Sequence, residues 1–165
     1  WVPGRFNAGR PGRPGFPVLY LAEDNVTPLF EVGALVGSPL PGGVVLPVPG
    51  AVWRIVHVTV AASAVVDLTN PATLSLLGAS IQELTGDWRG YTYRPGPPAG
   101  PPYWTRVPTQ QLGHALAAVP GVEGWITYSA RFPTRRNLVL LRNNLLPTSS
   151  VSGIDPATGT AITMP

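Results

Sequence analysis

The sequence has neither cysteine nor lysine among its 165 residues. The absence of cysteine excludes disulfide bonds, thiolate nucleophiles and zinc held by cysteine. The absence of lysine excludes a Schiff-base enzyme, a lysine general base and a P-loop, whose motif requires that residue. The two histidines, His57 and His114, lie far apart and form no helical pair. No metal site is therefore predicted.

Charge is also scarce. Only 12% of the residues are charged and 44% are hydrophobic, a balance typical of a globular domain and not of a disordered chain. With 19 glycines and 21 prolines, the chain should contain many stiff loops. No apolar run is long enough to span a membrane, and no signal-peptide pattern is visible. The net charge is +3, and every Lys or Arg position is an arginine. This modest charge gives only weak support for nucleic-acid binding.

Predicted helices and strands are interspersed without regular βαβ alternation, which favours the α+β class over a doubly wound parallel sheet. In the first third of the chain, residues 18–24 predict a short strand. A helix is expected over about 27–36, with Pro28 in its first turn and Gly37 at its end. Residues 51–62 are rich in β-branched side chains and predict a central strand.

Two helix starts are marked by capping residues. Asn70 followed by Pro71 predicts a helix over 71–78. Thr109 is expected to cap an amphipathic helix over 110–119. The apolar side of that second helix is expected to comprise Leu112, Ala115, Leu116 and Val119.

The remaining pattern predicts one domain over residues 1–146, followed by a polar, aperiodic tail over 147–165. Within the domain, the Pro-Gly content of 91–108 predicts a proline-rich loop or flap. The other predicted elements are a short strand in 64–71, a short helix at 80–86, and strands at 125–128 and 138–141.

The loop between the last two of these strands carries one serine and three arginines, Ser129, Arg131, Arg135 and Arg136. Arginine offers a planar fork of donors that suits phosphate or carboxylate, so an anion site is one interpretation. The other is a solvated loop with ordinary surface arginines. Ser129 directly follows the apolar run, where a side chain at a strand end can point into a cleft.

Two earlier residues are further candidates. Arg5 lies in the Gly-rich stretch "GRFN", where guanidinium and backbone could both approach a ligand, although an exposed arginine is the simpler interpretation. Glu31 is the only acid in its mostly apolar helix. A solvated glutamate is again the simpler interpretation; a buried one could stabilise a developing positive charge. A triad of Ser129, His114 and Asp155 is not predicted, because no G-x-S-x-G turn surrounds the serine.

These candidates recur in one order along "GRFN…LYLAED…LFEVGAL", "VVDLTNPATLSLLG…ELTGDWR" and "PTQQLGHAL…EGWITYSARFPTRRNLVLL". From Gly4 to Leu141 the sequence closely resembles the RES domain family, named for an arginine, a glutamate and a serine. Arg5, Glu31 and Ser129 match these three. The sequence departs from the family pattern in an expanded "AGRPGRPG" before the strand tyrosine and an inserted 91–106. It also lacks a second tyrosine soon after the glutamate.

The resemblance implies a fold related to ADP-ribosyltransferases, with a mixed β core and peripheral helices. It implies a bacterial toxin that degrades NAD⁺ by hydrolysis or phosphorolysis, with NAD⁺ as substrate and no separate cofactor. The alternatives are transfer of ADP-ribose to a protein, or an inactive nucleotide-binding module. The implied partner is an Xre-type antitoxin or another immunity protein, with no nucleic acid or membrane.

The resemblance also implies roles for individual residues. It makes Glu31, Arg5 and Ser129 catalytic, with Glu31 stabilising an oxocarbenium-like ribose. The implied substrate-binding residues are Arg5, Tyr20, Ser129, Arg131 and Asn137. Action in the cytoplasm is expected. Because the sequence begins at Trp1, delivery as part of a larger secreted toxin is a second expectation.

Overall fold

The computed structural model describes residues 4–9, 14–50, 52–92 and 107–164. Within these ranges the chain forms nine strands and five helices. The strands are β1 Val18–Ala22, β2 Leu35–Gly37, β3 Val45–Pro47, β4 Val58–Ala61, β5 Val65–Asp67, β6 Gly124–Tyr128, β7 Arg136–Leu141, β8 Ser150–Ile154 and β9 Ala161–Met164. The helices are α1 Thr27–Glu31, α2 Pro71–Leu77, α3 Ile81–Thr85, α4 Trp88–Thr92 and α5 Pro108–Ala117.

The central sheet has the strand order β1-β7-β6-β5. The first two pairings are antiparallel, whereas β5 runs parallel to β6. Two further antiparallel sheets accompany it, one formed by β2 and β3 and one with the order β4-β8-β9. This mixture of sheets and helices confirms the predicted α+β class.

The register of the central sheet gives its two faces different neighbours. Tyr20 pairs with Val139 and Val139 with Trp125, so these three side chains share one face. Val139 and Trp125 are fully buried there. Phe6 packs its ring edge-on against Trp125, with 5.4 Å between the ring centroids. The N-terminal loop that carries Phe6 is thereby fixed to the core.

The helices predicted over 71–78 and 80–86 are confirmed. Asn70 begins α2, where its side-chain oxygen accepts a hydrogen bond from the backbone N–H of Ala72 at 2.9 Å. A capping box between Ser80 and Glu83 begins α3. Gly78 ends α2 in the left-handed conformation, with φ of 62°.

The helix predicted over 27–36 is shorter in the structure and ends at Glu31. Gly33, at φ of 74°, turns the chain back, and residues 35–37 then pair with β3. Val26, which precedes the helix, provides no side-chain cap, and Asp24 Oδ1 accepts from the backbone N–H of Thr27 at 2.8 Å. Early termination leaves Glu31 in the last position of the helix.

The central strand predicted over 51–62 is wrong. Only Val58–Ala61 is a strand, and it lies at the edge of the sheet that contains β8. Val52, before it, is 93% exposed. The partner of β4 is β8, which lies about ninety residues further along the chain. No local pattern reveals a pairing at that distance.

The stretch predicted as a polar tail after Leu146 also differs from the structure, because β8 and β9 form there. The fully buried carboxylate of Glu123 helps to hold this segment. Its Oε1 accepts from the backbone N–H of Leu146 at 3.0 Å, and its Oε2 accepts from those of Ser63 and Ala64, both at 2.9 Å. One buried acid thus joins three segments of the chain.

The predicted cap at Thr109 is wrong as well. Val107 precedes the first helical residue, Pro108, without a side-chain cap, and Thr109 lies within α5. The buried residues of the helix are Thr109, Gln110, Gly113 and Leu116. The predicted apolar side is correct at Leu116 and at Leu112, which packs partly buried against the core, and wrong at the exposed Ala115 and Val119. Of the proline-rich 91–108 segment, residues 93–106 lie outside the described ranges. No helix in the described part of the chain is long and apolar enough to cross a membrane.

Candidate functional site

Five of the six residues singled out from the sequence line one cleft of about 540 Å³. They come from the N-terminal loop, from β1, from the end of α1 and from the β6–β7 hairpin. The five are Arg5, Tyr20, Glu31, Arg131 and Asn137. Ser129, the sixth, lies beneath the cleft and is fully buried.

Two hydrogen bonds orient the carboxylate of Glu31. Its Oε1 accepts from the hydroxyl of Ser129 at 2.5 Å and from the side-chain nitrogen of Asn137 at 3.0 Å. The residue is exposed overall. The simpler interpretation of a solvated glutamate is therefore correct about exposure, yet both bonds fix the direction of the carboxylate in the cleft.

The hydrogen-bonding groups of Ser129 are occupied by the protein. Its Oγ donates to Glu31 and accepts from the backbone N–H of Phe132 at 3.0 Å. Its own backbone N–H donates to the carbonyl of Arg135 at 2.8 Å. The geometry thus directs the Ser129 hydroxyl at Glu31, and the direct substrate contact expected from the sequence stays a prediction.

The three arginines of this loop face different surroundings. Arg136 donates from Nε to Glu23 Oε2 at 2.9 Å, and its Nη2 lies at the same distance from that oxygen. Arg135 stacks over the ring of Phe132, at 5.5 Å from its centroid, and its Nε lies 3.8 Å from Asp24. Arg131 lines the cleft. Arg135 and Arg136 therefore fit the interpretation of surface arginines, whereas the anion site stays a prediction with Arg131 as its candidate.

Arg5 reaches across the cleft from the N-terminal loop. Its Nη1 donates to the carbonyl of Gly86 at 2.6 Å, and its other N–H groups form no hydrogen bond with the described residues. Burial lowers the pKa of Arg5, and the nearby charge of Glu31 opposes this shift. Because a guanidinium stays protonated at neutral pH, Arg5 brings a fixed positive charge to the cleft.

Tyr20 presents its ring to the cleft and shelters its hydroxyl. The residue is 42% exposed, while its hydroxyl accepts from the backbone N–H of Phe6 and donates to Asn7 Oδ1, both at 3.4 Å. Burial of that end raises the pKa of Tyr20 to about 12, against the opposing effects of the Phe6 N–H and Arg5. The tyrosine is thus neutral at physiological pH, with an apolar surface available for stacking.

Sequence reasoning missed the opposite wall of the cleft, formed by residues 85–89. Asp87 lies there and interacts electrostatically with Arg5. Trp88 and Arg89 follow it, with the guanidinium 5.6 Å from the indole centroid. These residues lie in the stretch "ELTGDWR", one of those in which the sequence resembles the RES domain family, but none of them was a candidate site residue.

The excluded triad does not form. His114 Nε2 lies 3.3 Å from the carbonyl of Ala8, and its ring packs edge-on against Phe16. Asp155 lies at the end of the β8–β9 pair, where it binds the backbone of Ala157. In the described ranges, no group of three or more histidine, aspartate and glutamate residues could hold a metal ion.

Comparison with known proteins identifies the family. The model of the RES domain matches residues 2–154. This range contains all six candidate residues and continues beyond Leu141 through β8. No curated protein and no solved structure shows a significant match.

Proposed function

Since the chain belongs to the RES domain family, a toxin-like family of NAD-related enzymes, we propose that its cleft binds NAD⁺ and cleaves the nicotinamide–ribose bond. The observation that carries this proposal is the carboxylate of Glu31, held in the cleft by Ser129 and Asn137. Loss of cellular NAD⁺ would be the toxic outcome.

Glu31 supplies the charge that this reaction needs. As the bond between nicotinamide and ribose breaks, its electron pair leaves with nicotinamide, and positive charge develops on the ribose ring. A carboxylate already oriented beside that ring stabilises the charge without reorganising during the reaction. The fixed direction of Glu31 supports this role, because both donors bind the same oxygen, Oε1, and leave Oε2 for a ribose hydroxyl.

The arginines and Tyr20 suit the rest of the dinucleotide. Arg5 and Arg131 line the same cleft and provide positive charge for a pyrophosphate. The exposed ring of Tyr20 offers a surface for nicotinamide or ribose. In this arrangement Ser129 acts through Glu31 and does not attack the substrate.

The acceptor completes the reaction. Water or phosphate forms the new bond to the ribose carbon through oxygen, and water loses a proton in doing so. In transfer to a protein, a side chain of that protein would form the bond to the ribose carbon instead.

Partner binding is part of the same proposal. The RES family is associated with toxin–antitoxin systems, and we expect an Xre-type antitoxin or another immunity protein to restrain action in the cytoplasm.

The test is nicotinamide release from NAD⁺, followed by chromatography with and without phosphate. Glu31→Gln keeps the shape of the side chain but removes its charge, so we expect release to fall at least about a hundredfold. Glu83→Gln is the matched control, because glutamine also completes the capping box of α3 and Glu83 is not among the residues that line the cleft.

Each outcome separates the alternatives. Release that needs phosphate indicates phosphorolysis, whereas release in both buffers indicates hydrolysis. Labelled ADP-ribose on protein would indicate a transferase. A folded Glu31→Gln variant with unchanged turnover would refute the role of Glu31. Binding of NAD⁺ by calorimetry without nicotinamide release would replace the enzyme proposal with a binding module.

A further inference from the structure

A second cleft, of about 560 Å³, opens on the other face of the central sheet. Leu21 pairs with Leu138, and Leu138 pairs with Ile126. All three line this second cleft. Because side chains alternate along a strand, they point away from the face that carries Tyr20 and Asn137. The floor of the second cleft is therefore apolar. The cleft adjoins the first one, because both are lined by Tyr20, Leu21, Ala22, Pro28, Val32 and Asn137.

The walls of the second cleft add further apolar surface. Pro28, Leu29 and Val32 line one side from α1 and the turn after it. The irregular segment 53–57 that precedes β4 lines the cleft as well. Its indole, Trp53, remains 48% exposed. A half-exposed tryptophan in a cleft with an apolar floor offers a flat ring a surface for stacking.

The two acidic residues at the rim already accept hydrogen bonds from other residues of the protein. Glu23 binds the side chain of Arg136 with 2.9 Å between Oε2 and Nε. Asp24 binds the first residue of α1, with Oδ1 accepting from the backbone N–H of Thr27 and Oδ2 from its hydroxyl, at 2.8 and 2.7 Å. Both carboxylates therefore already have donors, with which a ligand cation would have to compete.

Two basic residues at the rim have no ion-pair partner among the described residues. Arg54 and His57 line the cleft and are exposed. Among the described residues, neither forms an ion pair. Asp155 interacts with Arg54 electrostatically, but its carboxylate accepts the backbone N–H of Ala157 at 2.8 Å. Arg54 is therefore the arginine of this rim that no carboxylate contacts directly among the described residues.

We propose that the second cleft binds a small aromatic anion, with its ring between Trp53 and the Leu138 floor and its anionic group on Arg54. The volume lies within the range of small-molecule sites, and an apolar lining with few polar groups is their usual composition. A guanidinium pairs well with carboxylate, sulfonate or phosphate oxygens. This binding does not depend on NAD⁺ cleavage.

The test is a fluorescence titration of the full chain with 8-anilinonaphthalene-1-sulfonate, which has an aromatic body and one sulfonate. We expect saturable binding, with the Kd raised about tenfold by Trp53→Ala and by Arg54→Gln. The matched controls are Leu76→Ala, at a side chain on α2 that is 87% exposed, and Arg142→Gln, at an exposed arginine after β7. Both controls should leave the Kd unchanged.

Several results would overturn the proposal. These are no saturable binding, equal weakening by the control substitutions, or an unchanged Kd in both cleft variants. Arg5→Gln provides a further check, since loss of binding in that variant would place the dye in the catalytic cleft. Thermal unfolding of each variant shows that a change in Kd is not a loss of fold. Because the readout is binding, its failure leaves the NAD⁺ proposal untouched, and the reverse also holds.

Discussion

The hydroxyl of Ser129 donates a hydrogen bond of 2.5 Å to the carboxylate of Glu31, although the two residues are 98 positions apart. Glu31 ends a five-residue helix, and Ser129 follows the last residue of β6. The bond therefore joins a peripheral helix to the central sheet at the cleft. It makes the direction of the carboxylate a property of the tertiary fold.

Removing the hydroxyl should reduce turnover more than substrate affinity. Ser129→Ala deletes one of the two donors to Glu31 Oε1, which costs about 1.5–3 kcal/mol for a hydrogen bond to a charged group. We expect kcat for nicotinamide release to fall about tenfold or more with KM little changed. Asn137→Ala should act on the same carboxylate, so the two substitutions together should be non-additive. A raised KM with unchanged kcat in Ser129→Ala would instead indicate direct substrate contact.

Two arginines of one loop provide a matched pair. Arg131 lines the cleft, whereas Arg135 stacks on Phe132 beside Asp24. If Arg131 binds the pyrophosphate, Arg131→Gln should raise KM for NAD⁺ about tenfold, and Arg135→Gln should leave it close to wild type. Steady-state kinetics at two salt concentrations provide the measurement. Equal effects of the two substitutions would show that the loop contributes only general positive charge.

The buried carboxylate of Glu123 should make folding stability depend on acid pH. Burial alone would raise the pKa of Glu123, but hydrogen bonds from the Ser149 hydroxyl and three backbone N–H groups lower it to about 2. A group whose pKa is lower in the folded state stabilises the fold above its unfolded value of 4.5. That contribution is lost as pH falls from there towards 2.

Urea unfolding at pH 7, 4 and 3 checks this. We expect the wild type to lose more unfolding free energy across this range than Glu123→Gln. The substitution itself should cost about 1–3 kcal/mol at pH 7, because the amide replaces an acceptor oxygen with a donor. Glu83→Gln, at an exposed site, is the reference. Parallel pH curves for wild type and Glu123→Gln would contradict the role of Glu123.

Two glycines should show different effects when replaced by alanine. A Cβ at Gly4 would lie 2.9 Å from both Asn7 Oδ1 and the Tyr20 hydroxyl. Gly4→Ala should therefore displace the tyrosine and raise KM for NAD⁺ with little loss of stability. A Cβ at Gly113 would overlap the backbone carbonyl of Phe6, which cannot move aside cheaply. Gly113→Ala should lower the melting temperature, measured by circular dichroism, and the reverse pattern would contradict this assignment.

Local patterns in the sequence were sufficient for many elements. Asn70-Pro71 marked the start of α2, and the apolar runs on either side of the Ser129 loop marked β6 and β7. They failed where a distant partner decides the outcome. Residues 51–62 form only an edge strand because β8 pairs with β4, and the predicted tail is ordered for the same reason.

For the site, the motif order indicated six residues, and five of them line one cleft. The sequence could not show that Ser129 lies beneath the surface, nor which of the three loop arginines reaches the cleft. Both depend on side chains from α1 and from the residue after β1, because the Ser129 hydroxyl binds Glu31 and Arg136 pairs with Glu23. The wall at Asp87 was missed for a similar reason, because its relation to Arg5 joins positions about eighty residues apart.

The sequence by itself determined the family, the α+β class and the chemical types at the site. Those follow from residue identity, order and local periodicity, which folding does not change. Only the tertiary structure decided that Glu31 is oriented by two donors, that Tyr20 shelters its hydroxyl and shows its ring, and that a second cleft opens behind the sheet. The physical reason is that hydrogen bonds and burial act between segments that are distant along the chain, so their effects exist only once those segments pack together.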